Sequence, residues 1–232
     1  MYNIRAIERA FKLLECFSSD KPHMGVTELS EAIELSKATT FRIAETLEQL
    51  GYLHKDEKVQ TYSIGSKVLG LGQVFLDNLD FRTVSVPYMK KIRDTLDETV
   101  SLYIVVNGKR VCVERIHSSQ ALRMVVTVGE DVPLDKGASA RVLLAFLNQR
   151  SAFDEDTLEK VRQDGYAFSS NERGEGVSAI SVPIRNFKRE IVAALTISGP
   201  SFRYTQETLP RYIALMKETA GAISAKLGFI DF

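Results

Sequence analysis

Several features are scarce in this 232-residue chain, and each shortage removes a class of function. No apolar run approaches the roughly 20 residues that a membrane-spanning helix needs. Cysteine occurs twice, as Cys16 and Cys112. The two lie far apart without metal-site spacing, each in an apolar pattern, which favours buried free thiols over a disulfide. The three histidines, His23, His54 and His117, cluster with neither cysteines nor carboxylates, so no zinc site is expected. Charge of one sign is lacking too, with 30 Lys and Arg against 30 Asp and Glu. Catalytic signatures are missing: there is no Ser-His-Asp arrangement, nucleophilic Cys with a nearby His, Walker loop or dinucleotide fingerprint. Glu172 and Glu175 have no evident acid/base partner. Neither an enzyme nor a metal or cofactor is expected. The opening MYNIRAIERAF is a charged amphipathic helix and not a signal peptide, which makes the cytoplasm the expected compartment.

What the chain does have centres on residues 26–53, VTELSEAIELSKATTFRIAETLEQLGYL. Two helical patterns meet here at a very short joint. Thr27 is expected to cap the first, with Leu29, Ala32 and Ile33 apolar, and Ser36 the second, which runs to Gly51. With only Leu35 and Ser36 between them the helices must cross steeply, as in a helix-turn-helix. Thr40, Ile43, Ala44, Leu47 and Leu50 fall on one stripe at helical spacing. Ala38, Phe41, Arg42 and Glu45 point the other way, flanked by Lys37 and Thr39. A short, partly cationic face at a helix N-terminus suits a major groove. Bulk charge does not announce nucleic acid, because residues 1–64 hold eight basic and ten acidic residues, a net of −2. The alternative is a sensor or scaffold whose helix-turn-helix makes protein contacts.

Asn3 can cap an earlier helix with Ile7, Ala10, Phe11, Leu14 and Phe17 on one face, broken by residues 18–25. After Gly51, two short alternating runs flank AspGluLys as a small hairpin, completing a winged helix. Lys55 and Lys58 then lie where a wing meets the sugar-phosphate backbone, the alternative being two lysines on a solvated turn. Residues 66–79 return to helical spacing through Val68, Leu69, Leu71, Leu76 and Leu79. Two glycines make this a poor isolated helix in need of a partner. Residues 82–98 continue helically, with Pro87 marking a start or kink. From Thr99 the period becomes two: strands on either side of Asn107-Gly108, a third at 122–128, and two more at 177–184 and 191–198. Helices are expected over 137–147 and 155–164. A C-terminal helix capped by Thr205 carries Leu209, Ile213, Met216, Ala220 and Ile223 on its face. The reading is an α+β chain with an antiparallel sheet in its second part.

Three stretches of that second part suit a ligand. AspLysGlyAlaSerAla (135–140) opens a helix at Gly137 with almost no side-chain bulk, so its free N–H groups can cradle a carboxylate or phosphate; a tight packing turn is the alternative. Residues 165–176 form a polar loop long enough for a rim or lid. Thr196 and Ser198 share one strand face, opposite Leu195 and Ile197, and would hydrogen-bond a polar ligand or else meet solvent.

Over essentially its whole length the chain resembles the IclR (isocitrate lyase regulator) family of bacterial transcription factors. The match runs through IleGluArgAla (7–10), LeuSerLysAlaThrThrPheArg (35–42), GluGlnLeuGlyTyrLeu (48–53) and TyrSerIleGlySerLysValLeu (62–69). It continues through AlaSerAlaArgValLeuLeuAla (138–145), GlyTyrAlaPheSerSerAsnGlu (165–172), SerAlaIleSerValProIle (178–184) and IleSerGlyPro (197–200). The resemblance implies a winged helix-turn-helix domain over 1–65, a dimerising linker helix over 66–80 and a GAF-like effector-binding domain over 81–232. It also implies a repressor that binds double-stranded operator DNA as a dimer or dimer of dimers and senses a small organic acid. The DNA-binding residues would be Ser36, Lys37, Ala38, Thr39, Thr40, Phe41, Arg42, Lys55 and Lys58. Carried over by position, Ala138 and Ser139 hold the ligand carboxylate through backbone N–H groups, with Gly137 before them. Met124 and Val132 are apolar walls, and Thr196 and Ser198 are the paired hydroxyls. Ser169 stands where relatives often carry aspartate, and Ala179 where some carry cysteine, which implies a roomier, less acidic pocket and a larger or more polar effector. Thr40 replaces a usual valine, and Arg185 a usual aromatic or histidine.

Overall fold

A computed structural model describes residues 4–18, 20–77, 80–147 and 151–230, with the side chains of 75–77 left out. Asn3, Leu79 and the Leu76 side chain, named above, lie outside the described residues. The chain divides into two compact units between residues 78 and 79.

The first unit holds helix α1 (Arg5–Leu14), strand β1 (Met24–Gly25), helices α2 (Val26–Ala32) and α3 (Lys37–Gln49), strands β2 (Leu53–Asp56) and β3 (Thr61–Ile64), and helix α4 (Lys67–Asp77). Its core gathers Leu13, Leu29, Ala44, Leu47, Leu53 and Tyr62. Leu13, outside the expected stripe of α1, is fully buried, whereas Ile7 and Phe11 are 52% and 60% exposed. Ala10, Leu13, Leu14 and Phe17 make the inward face, a stripe with the same 3.6 periodicity turned to one side of the expected one.

The expected cap of α2 is also displaced. Met24 and Gly25 pair with Tyr62 and Thr61 as a short strand, and the chain turns helical directly after it, at Val26, ahead of the start that a Thr27 cap would give. Gly25 occupies the cap position and its N–H donates to Glu28 Oε2 at 2.8 Å; Thr27 lies inside the first turn. At its other end α2 stops at Ala32, so the joint is longer than expected, Ile33 to Ser36, and passes through Glu34 at φ +54°. Ser36 caps α3 as expected, its Oγ accepting the Thr39 N–H at 3.3 Å. Leu50, just past the end of α3, is exposed instead of completing the stripe. The wing forms, with β2 and β3 antiparallel and β1 added on the far side of β3.

In the second unit, helix α5 (Asp80–Leu96) precedes β4 (Thr99–Val106), β5 (Lys109–Ile116) and β6 (Asp131–Val132). Helices α6 (Ala138–Phe146) and α7 (Glu155–Asp164) follow, then β7 (Ala167–Ser170), β8 (Val177–Arg185), β9 (Ile191–Pro200) and helix α8 (Leu209–Lys226). The six strands form an antiparallel sheet in the order β6-β5-β4-β9-β8-β7. The Asn107-Gly108 turn has both residues at positive φ, as a two-residue hairpin with matching twist demands. α6 packs on the sheet through Ala138 and Val142 against Tyr103, Cys112 and Ala194. α5 and α8 pack on each other and on strands of the same sheet.

Three expectations fail here. Residues 122–128 alternate like a strand but form none; Leu122, Val125 and Val128 are exposed. The Met124 carbonyl accepts from the Thr99 hydroxyl at 2.9 Å and Gly129 N–H returns to the Cys112 carbonyl at 2.8 Å, so side-chain and turn bonds take the place of a ladder. The strand on that edge is β6. Part of the expected 165–176 loop is strand β7, leaving residues 171–176 as the loop. α8 starts after Thr208, which exchanges hydrogen bonds with Thr205 upstream of the helix. Cys112 is buried, Cys16 half-buried, and both are free. Among the described residues no helix is long and apolar enough to cross a membrane, and no cluster of three metal-ligating side chains occurs.

Candidate functional site

The first unit presents the start of α3 to solvent. Ser36 Oγ also shares a hydrogen bond with Thr39 Oγ1 at 2.9 Å, which fixes the first turn. Lys37, Ala38 and Arg42 are exposed beside Phe41, which is 42% exposed. Thr39 is half-buried, and Thr40 is fully buried and so, contrary to its place among the expected DNA-binding residues, is not on the exposed face. Lys37, Ala38 and Phe41 border an open groove together with Val26 and Lys55.

The two wing lysines differ. Lys55 is held inside the unit: its Nζ lies 3.5 Å from Glu45 and 3.4 Å from Glu57 and 5.9 Å from the Phe41 ring centroid. It supports Phe41 and is not free for a phosphate. Lys58 sits exposed on the wing turn, its backbone N–H donating to Asp56 Oδ1 at 2.9 Å.

The second unit encloses a cavity of about 20 Å³ beneath the N-terminus of α6. Met124, Ala138, Ser139, Ser169, Ala179, Thr196 and Ser198 all line it, joined by Tyr103, Arg110 and Arg173. Strand pairing explains the convergence. Ser169, Ala179 and Ser198 stand in one row across β7, β8 and β9, and Ser181, Thr196 and Ser101 in the next, so one sheet face carries a patch of buried hydroxyls. Thr196 Oγ1 and Ser181 Oγ share a hydrogen bond at 2.9 Å. Val132 and Gly137 do not line the cavity. Val132 lies opposite Arg110 on the edge strand, and Gly137 is the φ +92° residue that turns the chain into α6.

The helix N-terminus is partly committed to the protein's own groups. Gly137 N–H donates to Glu172 Oε2 at 2.9 Å, and Ala138 N–H to Ser169 Oγ at 3.0 Å. Glu172 also takes Arg141 at 2.7 Å, so this acid braces the loop to α6. Ser139 and Ala140 follow at positions where a helix offers no carbonyl of its own.

Arg110 was not among the residues expected in this site. It is fully buried, its Nη1 donates to Ser139 Oγ, and its guanidinium carbon lies 5.2 Å from the Tyr103 ring centroid. Nε and Nη2 have no hydrogen-bond partner. Burial, then the like charge of Arg173, push its pKa down to about 10. After the Asn-Gly turn, Lys109-Arg110 looks like a solvated hairpin flank. The available signal was alternation, which puts Arg110 on the same face as the apolar Cys112. The space left is about that of one water, so the roomier pocket inferred from Ser169 and Ala179 is instead filled by arginine.

Comparison with known proteins agrees with both halves. A model described as the IclR helix-turn-helix domain matches residues 6–57. One described as Bacterial transcriptional regulator IclR C-terminal matches 73–154 and 151–225. The HTH-type transcriptional regulator KdgR of Escherichia coli (strain K12) is 28% identical over 251 aligned positions, covering 99% of this chain and 95% of that protein. KipR of Bacillus subtilis (strain 168), another HTH-type transcriptional regulator, is 29% identical and covers 97% and 98%. Two solved structures share the fold. The Thermotoga maritima IclR has a TM-score of 0.81 at 24% identity, covering 98% of this chain and 100% of that one. An IclR homolog from Microbacterium hydrocarbonoxydans complexed with 4-hydroxybenzoate has 0.82 at 20%, covering 96% and 98%. These names are of regulators, not enzymes. With both family models matched in order and the winged helix and antiparallel-sheet unit in place, the chain belongs to the IclR family of helix-turn-helix transcriptional regulators.

Proposed function

We propose that this regulator is a cytoplasmic repressor whose grip on operator DNA is set by a small organic acid held in the cavity under α6. The observation that carries this reading is Arg110, a buried guanidinium with two unpartnered nitrogens. Burying a charge without a partner is costly, and a carboxylate is the group whose geometry answers it. Ser198 and Thr196 supply hydroxyls, and Ser139 adds a backbone donor at the helix terminus. The Microbacterium relative, complexed with 4-hydroxybenzoate, supports an acid of this general kind. The HTH-type transcriptional repressor AllR of Escherichia coli, 26% identical over 245 aligned positions, supports repression.

On the DNA side, Lys37, Ala38, Phe41 and Arg42 would meet the major groove, with Lys58 at the backbone. α4 supports a dimer: Leu69, Leu71 and Val74 are 74%, 59% and 63% exposed in the single chain, an apolar surface that a second copy would cover. A twofold dimer presents two recognition helices to a near-palindromic operator. The acid must bind the DNA-competent and DNA-released arrangements unequally, since otherwise nothing shifts. The test is Ser198→Val, which replaces a cavity hydroxyl with apolar bulk. It is expected to abolish release by the acid while operator affinity stays as in the wild type; a normal acid titration in this variant would end the assignment.

A further inference from the structure

Arg110 is not the only cation at this cavity. Arg173, on the 171–176 loop, also lines it and is half-buried. The two side chains converge: a Cβ at Gly137 would lie 3.4 Å from Arg173 Cγ and Cδ and 3.5 Å from Arg110 Nη1. Neither guanidinium has an ion pair among the described residues. Glu172, the acid beside Arg173, is spent on Arg141 and on the Gly137 N–H. Asp135, whose field reaches Arg110, is exposed and forms no hydrogen bond with it. The N-terminus of α6 adds further partial positive charge at the same place.

The geometry points to a dicarboxylic acid as the ligand class, one carboxylate on Arg110 at the floor and the other on Arg173 toward the mouth; this rests on the organic-acid reading above. Nη1 of Arg110 is taken by Ser139, which leaves Nε and Nη2 free. Those two donors form one edge of the guanidinium and match the two oxygens of a carboxylate in a bidentate pair. A single negative charge would satisfy that edge and leave Arg173 and the helix terminus uncompensated. Two charges answer both cations. The cavity is too small for such an acid as it stands, so entry requires Arg173 to swing outward on its loop, which keeps its charge at the mouth.

The experiment is a thermal-shift titration of the full-length protein at constant ionic strength. Malonate, succinate and glutarate are compared with acetate, propionate and butyrate, in the wild type, Arg173→Gln and Arg110→Met. At least one dicarboxylate is expected to raise the melting temperature saturably while the monocarboxylates do not. Arg173→Gln should raise the half-saturating dicarboxylate concentration at least tenfold, and Arg110→Met should abolish the response. Removing an unpaired buried charge favours folding of the Arg110 variant; should it fail to fold, Arg173→Gln carries the test alone. Equal or greater stabilisation by monocarboxylates, or an unchanged dicarboxylate midpoint in Arg173→Gln, would overturn the dicarboxylate assignment and leave the organic-acid reading standing. No response to any acid would overturn both.

Discussion

Thr40 lies fully buried on the recognition helix, and its hydroxyl has no hydrogen-bond partner. An unsatisfied buried hydroxyl costs roughly 1–3 kcal/mol, so Thr40→Val is expected to stabilise the chain by about 1 kcal/mol in urea unfolding, with operator affinity unchanged. A loss of stability would mean that the hydroxyl is satisfied in solution. Arg42, exposed on the same helix, should behave differently. Arg42→Ala weakens operator binding by about 1–3 kcal/mol where the side chain reads a base edge, or flattens the salt dependence without altering sequence preference where it meets phosphate alone. Unchanged affinity and slope would remove Arg42 from the interface. Side chains were legible in the sequence where periodicity alone places them. Alternation put Thr196 and Ser198 on one face, and helical spacing put Phe41 and Arg42 outward. Lys55 and Arg110 were not legible, because the fates of their charges depend on partners distant in sequence. Glu45 on α3 captures one, and Ser139 and Tyr103 surround the other.

Among the elements, most helices and the Asn-Gly hairpin could be read directly, because local spacing and turn chemistry specify them. The misplacements share one cause, tertiary pairing that local pattern does not encode. Strand β1, paired with the wing, ends at Gly25 and sets the start of α2 at Val26, ahead of the expected Thr27 cap, and 122–128 alternates like a strand without a neighbouring strand to join. Gly65, between the wing and α4, shows the same dependence on close approach. Its N–H donates to the Tyr52 carbonyl at 2.8 Å, and a Cβ there would lie 2.3 Å from the Gly51 carbonyl oxygen. Backbone cannot yield as a flexible side chain can, so Gly65→Ala is expected to cost about 2 kcal/mol, read as a lower denaturant midpoint. A midpoint indistinguishable from wild type would show that the wing and α4 separate freely.

The whole molecule joins a DNA-reading unit of nearly neutral bulk charge to a unit with a buried, uncompensated cation. The first would work through local placement of a few side chains, since residues 1–64 hold eight basic residues against ten acidic ones. In the second, α6, the hydroxyl-bearing sheet face and two arginines make a site whose charge an acid would complete. The change of period at Thr99 marked where the sheet begins and not the boundary between the units, which falls between residues 78 and 79; the positive character of the cavity was not legible, because it depends on strand register. The most direct measurement is fluorescence anisotropy of the full-length protein on duplex DNA from the region upstream of its own gene, across a salt series, with and without dicarboxylate. Binding is expected to weaken steeply with salt, to exceed that to a scrambled duplex and to be released as the acid saturates. Affinity equal to that for the scrambled duplex, or unchanged at saturating acid, would rule out an acid-released operator binder.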